Sequence, residues 1–148
     1  TNDAPSTITR LQNMGTPDYL ISAATQLVVA QRLARKNCKE CKIPDEDVTP
    51  KVLQDLGFSA ELASRVKALK GKGCAKCSNT GYKGRQGIYE ILVVSKPIKE
   101  AILRQATTPE LREIAVKEGF QQMQDMGRRL IASGDLNFRE YERVLSVE

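Results

Sequence analysis

The sequence predicts a mixed α/β chain in which helices, two strands and a four-cysteine motif follow one another. The second half of residues 27–35 and the run 88–94 indicate strands, and the later run is too apolar to be exposed on both faces. Elsewhere, apolar residues recur at the three- or four-residue spacing of amphipathic helices. The four cysteines form two CxxC pairs that lie between the strands.

Two helices are predicted at the start of the chain. Asn2 or Asp3 is the expected cap of the first helix, with Pro5 in its first turn and Gly15 at its end. Pro17 opens the second helix. The predicted buried face of that helix consists of Leu20, Ile21, Ala24 and Leu27.

Two short helices are predicted between the cysteine pairs. Gly57 ends the first and Ser59 caps the second. Their apolar residues are Val52, Leu53 and Leu56 in the first, and Leu62, Val66 and Leu69 in the second. Glycines before the second cysteine pair are expected to let the backbone turn and aim its N–H groups at sulfur.

Four helices are predicted after Ser95. Thr107 or Thr108 caps the second of them, Gly119 ends it, and Gly134 ends the third. The apolar stripes of the four helices are Ile98, Ala101 and Ile102; Leu111, Ile114 and Ala115; Met123, Met126, Leu130 and Ile131; Phe138, Tyr141, Val144 and Leu145.

The spacing of the cysteines is the most informative feature of the chain. Cys38 and Cys41 form one CxxC pair, Cys74 and Cys77 form the other, and 32 residues separate the two pairs. Two such pairs supply the four thiolates, at about 2.3 Å each, that a tetrahedral structural zinc site requires. The chain has no further cysteine and no histidine, so the sequence predicts a closed four-cysteine zinc site.

Two other uses of the cysteines stay open at this point. A disulfide framework is typical of small secreted domains, whereas this chain has 148 residues and 41% hydrophobic content. A thioredoxin-like redox pair accounts for one CxxC and leaves the second without a role. We expect a reducing, cytosolic setting, because the cysteines are paired in this way and the sequence shows no signal peptide.

The net charge of +5 is concentrated around the cysteines. Residues 32–87 hold 13 Lys and Arg against 6 Asp and Glu, while the rest of the chain holds 10 against 12. A basic zinc module can bind nucleic-acid phosphates, but Phe58 is the only aromatic residue between Arg32 and Cys77. Four thiolates and one Zn2+ together carry a negative charge, so nearby cations are expected at such a site even without a nucleic-acid partner. The pattern therefore disfavours nucleic acid as a partner.

The sequence offers no catalytic site of its own. Without histidine, acid–base catalysis at neutral pH depends on a perturbed carboxylate, Lys or Tyr. No GxxxxGK[ST] phosphate loop occurs, and the glycine-rich residues 81–87 do not have its spacing. No stretch approaches the ~20 apolar residues of a membrane span. We assign no catalytic residue and expect that this chain alone is not an enzyme.

Four stretches carry a resemblance to a known family. Residues 1–11 resemble the segment after the family's histidine box, residues 30–35 its strand before the cysteines, and residues 38–77 its tetracysteine zinc motif. Residues 81–90, GYKGRQGIYE, are the most distinctive. The chain resembles the C-terminal portion of the ATPases that drive type II secretion and type IV pilus assembly (the GspE/PilB family), with the MSHA-pilus branch as one candidate.

The resemblance implies a domain order. Residues 1–37 would end a RecA-like P-loop ATPase core, and residues 38–87 would be an inserted zinc-binding subdomain. Residues 88–148 would return a core strand and add a small helical subdomain. The family's phosphate-binding Walker A loop and acidic boxes would precede Thr1.

The resemblance also implies a function for the parent protein. Its hexamer would hydrolyse ATP with Mg2+ on the cytoplasmic side of the bacterial inner membrane and act on an inner-membrane platform protein. The zinc would be structural. Guanidinium groups suit phosphate and carboxylate, and a surface salt bridge is the alternative for each of them. The arginines proposed to contact a neighbouring subunit or its nucleotide are Arg10, Arg32, Arg35 and Arg85.

A second interpretation comes from a different class of protein. A stand-alone zinc-ribbon module that binds nucleic acid or protein also fits four cysteines in a basic segment. Salt-dependent DNA binding would favour this module. Association only with an upstream ATPase half would favour the secretion ATPase.

Overall fold

The structure is a computed structural model that describes residues 3–145, and it is mixed α/β as the sequence predicts. A short 3-10 helix, Ala75–Cys77, begins directly after Cys74 and contains Cys77. The other elements, in chain order, are α1 Ala4–Asn13, α2 Asp18–Ala24, β1 Leu27–Asn37, β2 Lys42–Pro44, α3 Pro50–Asp55, α4 Ala60–Arg65, β3 Leu69–Gly71, β4 Tyr82–Val93, α5 Lys96–Leu103, α6 Thr108–Lys117, α7 Met123–Ser133 and α8 Phe138–Leu145.

Two compact units make up the chain. The first unit comprises the described residues through Gln31 together with Tyr89–Met123. The second unit comprises Arg32–Ile88 and the described residues from Gln124 onward. β1, β4 and α7 each begin in one unit and continue into the other.

β1 and β4 form a two-stranded sheet. At one end the Val94 N–H donates to the Gln26 carbonyl at 3.0 Å, and at the other the Cys38 N–H donates to the Gly81 carbonyl at 2.9 Å. The start of each strand therefore lies beside the end of the other, so the strands are antiparallel. β1 begins at Leu27, and the whole apolar run is extended rather than only its second half. Its adjacent valines favour a strand over a helix.

Helix starts follow the capping residues in the sequence. The Asp3 carboxylate accepts the Ser6 N–H at 2.8 Å at the start of α1, with Pro5 in the first turn. Asn2, the other candidate cap, lies outside the described residues. Gly15 follows α1 with φ +94°, as a helix-ending glycine does. Side-chain oxygens also cap α3, α4, α5 and α6, through Thr49, Ser59, Ser95 and Thr107. The predicted caps at Asp3, Ser59 and Thr107 are confirmed.

The first unit has one apolar core that joins α1, α2, α5 and α6 to the sheet. Its principal side chains are Ile8, Ile21, Val28, Leu92, Val94, Ile98, Ile102 and Leu111. Of the predicted buried face of α2 only Ile21 is buried, because Leu20 is 46% exposed, Ala24 is exposed and Leu27 is 56% exposed. The helix ends at Ala24 and Thr25 is already extended, so Leu27 belongs to the strand.

The second unit contains a small sheet that was not predicted from the sequence. β2 and β3 pair antiparallel, with Lys42 opposite Gly71 and Pro44 opposite Leu69. Leu69 was predicted on a helix, but it lies in β3, and Ala63 is the buried residue of α4. Strands of three residues are too short to show a sequence period.

The C-terminal helices agree with the prediction. Gly119 follows α6 with φ +94° and Gly134 follows α7 with φ +85°. Tyr141, Val144 and Leu145 of the predicted last stripe are buried in α8. Of the helices within residues 3–145, none combines the length and the hydropathy that crossing a membrane requires.

Candidate metal centre

The structure brings the four cysteines together between the end of β1 and the start of β4. All four Sγ atoms lie within 4.8 Å of one another. The Sγ of Cys38 lies 3.8 Å from that of Cys74, and the Sγ of Cys41 lies 3.8 Å from that of Cys77. The Sγ atoms of Cys74 and Cys77 are 3.7 Å apart. A disulfide bond joins sulfurs at about 2.05 Å, so these are free thiols.

The cluster has the dimensions of a tetrahedral metal site. Four sulfurs at about 2.3 Å from one ion, at tetrahedral angles, are separated from one another by about 3.8 Å. The three separations above match that spacing. The residues present therefore fit a metal ion held by four thiolates. A site filled by four protein ligands leaves no open position for a substrate.

Backbone N–H groups hold the cysteine pairs in place. Gly73 donates its N–H to the Cys41 Sγ at 3.3 Å. The N–H groups of Cys74 and Gly81 donate to the Cys77 Sγ at 3.3 Å and 3.2 Å. Gly73 reaches this position with φ +105°, which side chains rarely permit. The prediction that a glycine before the second pair aims its N–H at sulfur is confirmed, although that sulfur belongs to the first pair.

The free thiols differ in acidity. Burial raises the pKa of the Cys41 thiol to about 11, and the neighbouring thiols add to the rise. Burial also acts to raise the pKa of Cys77, but the N–H groups of Cys74 and Gly81 outweigh it and lower that pKa to about 6. Because metal ligands must be thiolates, metal binding at this cluster releases protons and weakens as the pH falls.

Two glycines allow the flanks of the second cysteine pair to touch. A Cβ atom on Gly71 would lie 1.9 Å from the Gly81 carbonyl oxygen, and one on Gly81 would lie 2.6 Å from the Gly71 carbonyl oxygen. The same Gly81 carbonyl accepts the Cys38 N–H. This contact therefore joins β3, the start of β4 and the first cysteine pair, and it leaves no room for a side chain.

Gly71→Ala should lower the melting temperature and the metal content together. The added methyl group must displace the Gly81 carbonyl that holds Cys38, at a cost of about 1–3 kcal/mol and several degrees in melting temperature. Lys72→Ala, at the next position and exposed, is the matched control. Thermal unfolding and metal analysis check both variants, and equal melting temperatures would contradict the close contact.

A buried carboxylate lies in the same unit. Glu140, in the first turn of α8, has a fully buried side chain that accepts the Arg35 N–H at 2.6 Å and the Arg35 guanidinium at 3.1 Å. It also accepts the Arg143 Nε at 2.7 Å. The Asn137 side chain accepts the Glu140 N–H and donates to the Tyr82 hydroxyl, and the Arg35 guanidinium lies 4.1 Å from the Tyr82 ring centre. β1, β4 and α8 therefore meet at one buried negative charge.

The charge at Glu140 is strongly stabilised. Burial would raise the pKa of Glu140, but hydrogen bonds from the Arg143 and Arg35 guanidinium groups and the Arg35 N–H outweigh it and lower the pKa from 4.5 to about 2. No motif in the sequence predicted this site. Asn137 followed three residues later by Glu140 is a helix-start signal that could have placed Glu140 in a first turn. Nothing in the sequence links it to Arg35, 105 residues away.

The four arginines proposed for subunit contacts have different surroundings. Arg35 is held by Glu140, and Arg32 donates to the Val144 carbonyl near the end of α8. Arg85 is exposed, and Arg10 is exposed near the end of α1 in the other unit. The residues that line a pocket of about 350 Å³ are Arg35, Thr80, Tyr82, Gly84 and Arg85. Two of the four arginines thus share a pocket, and Arg32 and Arg10 do not line it.

Fold and site together define a mixed α/β chain with a four-thiol cluster beside a two-stranded sheet. Residues 1–143 match the family described as type II/IV secretion system protein. The chain belongs to this family, and the resemblance drawn from its motifs is confirmed.

Several relatives cover most of this chain. It is 36% identical over 140 residues to a type IV pilus assembly ATPase, PilB, of Myxococcus xanthus, covering 95% of this chain and 25% of the relative. PilB of Thermus thermophilus is 42% identical over 130 residues, covering 86% and 14%. The type II secretion system ATPase E of Vibrio cholerae is 34% identical over 142 residues, covering 86% and 28%. The chain thus spans about a quarter or less of the two PilB relatives.

Proposed function

We propose that this chain is the C-terminal portion of a hexameric ATPase that powers type IV pilus assembly or type II secretion. The supporting observation is the family match over residues 1–143, together with relatives named as ATPases of those two processes. ATP and Mg2+ would bind in the preceding part of the parent protein, and no catalytic residue is assigned to this portion. These comparisons favour a secretion ATPase over a stand-alone zinc ribbon.

Within that protein we assign a structural zinc ion to Cys38, Cys41, Cys74 and Cys77. Sulfur separations of 3.7–3.8 Å and four thiol donors support this assignment. When bound, zinc cross-links the two cysteine pairs. Since Cys38 directly follows β1 and Gly81 directly precedes β4, the bound cysteines would hold these two strand ends together.

The domain order follows from the same proposal. Residues 1–37 would complete a RecA-like ATPase core, residues 38–87 would be the zinc-binding insertion, and residues 88–148 would return a strand and add the helical subdomain. The antiparallel pairing of β1 with β4 supports an insertion between two neighbouring strands. The parent protein would be cytoplasmic, peripheral to the inner membrane, and would act on a membrane platform protein.

An immunoblot of source cells with an antibody against this chain tests the proposal. A band at about three to four times the 16.4 kDa of this chain, from a protein that hydrolyses ATP when purified, is expected. A single band at 16.4 kDa would overturn the ATPase proposal and favour the zinc-ribbon module.

The exposed arginines are proposed to contact a neighbouring subunit. Arg10→Glu and Arg85→Glu in the full-length protein should lower ATPase activity and the hexamer fraction while leaving the melting temperature unchanged, because charge reversal disrupts an interface but not an exposed monomer surface. Arg139→Glu, also exposed, is the control. Light scattering and ATPase assays check this, and equal behaviour of all three variants would contradict the role.

A further inference from the structure

A buried carboxylate on β4 binds the first residues of two helices. Glu90 is 3% exposed, and its Oε1 accepts the Ala4 N–H at 2.5 Å while its Oε2 accepts the Met123 N–H at 3.0 Å. Ala4 is the first residue of α1 and Met123 is the first residue of α7. Both N–H groups lie at helix N-termini, where the peptide dipoles favour a negative charge. All three residues belong to the first unit, so one carboxylate fixes two helix starts at one point on β4.

Binding both helix starts at once requires a carboxylate at position 90. A glutamine there would offer one acceptor oxygen, and its NH2 group would face the second N–H. Among the ion pairs that residues 3–145 form, none includes Glu90, so backbone N–H groups rather than a cation stabilise its charge. Burial of a carboxylate without a cationic partner is costly. An apolar side chain would avoid that cost but would hold neither helix start.

Helix α1 has a cap of its own and does not need Glu90 in order to begin. The Asp3 carboxylate accepts the Ser6 N–H at 2.8 Å, which is the ordinary capping contact, and it also pairs with Arg112 of α6 at 2.5 Å. Glu90 instead binds the Ala4 N–H from a strand 86 residues further along the chain. Asp3 therefore initiates the helix, and Glu90 sets the position of its first turn on β4.

We propose that Glu90 is a positioning residue for ATP hydrolysis by the parent protein. This inference rests on the proposed function, in which ATP binds in the polypeptide that precedes this chain. The Glu90–Ala4 hydrogen bond lies at the first residue of α1, so it fixes the point at which that polypeptide joins the first unit. Misplacement of reacting groups by about 1 Å can lower turnover by up to about a hundredfold. Glu90 acts through α1 and is not itself a catalytic residue.

Steady-state kinetics of the full-length protein provide the first test. Glu90→Gln should lower kcat for ATP hydrolysis by about tenfold or more and change the KM for ATP by less than about twofold, because positioning is lost but no ATP-binding group is removed. Ile98→Val is the matched control, since it shortens a fully buried side chain of the same unit and alters no hydrogen bond of Glu90. It should lower the melting temperature by a few degrees and keep kcat within about twofold at a temperature where all variants are folded.

Ala4→Pro removes the same hydrogen bond from its other side. Proline has no N–H, and it is well tolerated at the first position of a helix, where Ala4 lies. In the full-length protein this variant should lower kcat about as much as Glu90→Gln does. The double variant should be no slower than the slower single variant, because both changes act through one contact. Full kcat in Ala4→Pro would overturn the inference even if Glu90→Gln failed to fold.

Amide hydrogen exchange in the 148-residue chain tests the contact itself. Glu90→Gln should raise the exchange rate of at least one of the Ala4 and Met123 amides by about tenfold or more, because the glutamine side chain retains a single acceptor. Ile98→Val should leave both rates close to those of the unsubstituted chain. Unchanged rates at Ala4 and Met123 in the Gln variant would contradict the two hydrogen bonds on which the inference depends.

The kinetic outcomes separate this inference from the proposed function. An active full-length ATPase in which Glu90→Gln keeps full kcat would overturn the inference and leave the proposed function standing. Equal losses of kcat in Glu90→Gln and Ile98→Val would assign Glu90 a role in stability alone and also overturn it. A raised KM with unchanged kcat would assign Glu90 to ATP binding instead of positioning. Absence of ATPase activity from the unsubstituted full-length protein would overturn the proposed function itself.

Discussion

Cys74→Ser should remove the bound metal ion and lower the melting temperature in the same variant. Cys74 lies 3.8 Å from Cys38 and 3.7 Å from Cys77, so its loss opens the cluster on two sides. Structural zinc contributes several kcal/mol to folding, and we expect the melting temperature to fall by about 10 °C or more. Metal analysis beside calorimetry checks the two quantities together.

The control for this prediction lies in the same turn. Lys76→Ser changes an exposed residue between Cys74 and Cys77 without removing a ligand, and it should retain one equivalent of zinc and the unsubstituted melting temperature. Chelation of the unsubstituted chain should reproduce the effect of Cys74→Ser. Unchanged melting of Cys74→Ser after loss of metal would show that the metal has no structural role.

Glu140→Gln should lower the free energy of unfolding at neutral pH by about 2 kcal/mol, because an amide cannot replace a carboxylate that accepts from Arg35 and Arg143. The Arg35 and Arg143 side chains are about half exposed, which limits the effect to less than that of a fully buried pair. Glu142→Gln, on the same helix and exposed, is the control and should have no effect. Chemical unfolding at pH 7 measures the difference.

The effect of Glu140→Gln should also depend on pH. The pKa of Glu140 is lowered in the folded chain from 4.5 to about 2, so its contribution is complete above about pH 5 and is lost as the pH falls toward 2. The free energy of unfolding of the unsubstituted chain should therefore approach that of the Gln variant in that range. Acid also releases zinc from thiolates in both proteins. The test therefore compares, at each pH, the difference in free energy of unfolding between the unsubstituted chain and the Gln variant. A difference that stays constant from pH 7 to pH 2 would contradict the ion pair.

Local signals in the sequence predicted most elements correctly. Asp3, Ser59 and Thr107 cap helices in the structure as predicted, since a cap depends on residues only three positions apart. Glycines with positive φ end α1 and α6 where expected. The short strands β2 and β3 were missed because their pairing joins residues 42–44 to residues 69–71 and has no local signal.

Residue identity and local spacing predicted the two CxxC pairs, the helix caps at Asp3, Ser59 and Thr107 and the family resemblance, because each depends on residues close together in the chain. The three-dimensional structure was needed to show that Glu140 forms ion pairs with Arg35 and Arg143. It was also needed to show that the backbone of Gly71 lies against that of Gly81. The exposure of Tyr89, Ile91 and Val93 likewise became visible only in the fold. These features depend on contacts between segments far apart in sequence. Hydrophobic pattern predicts that a strand is apolar, but only the neighbours present in space decide which of its faces is covered.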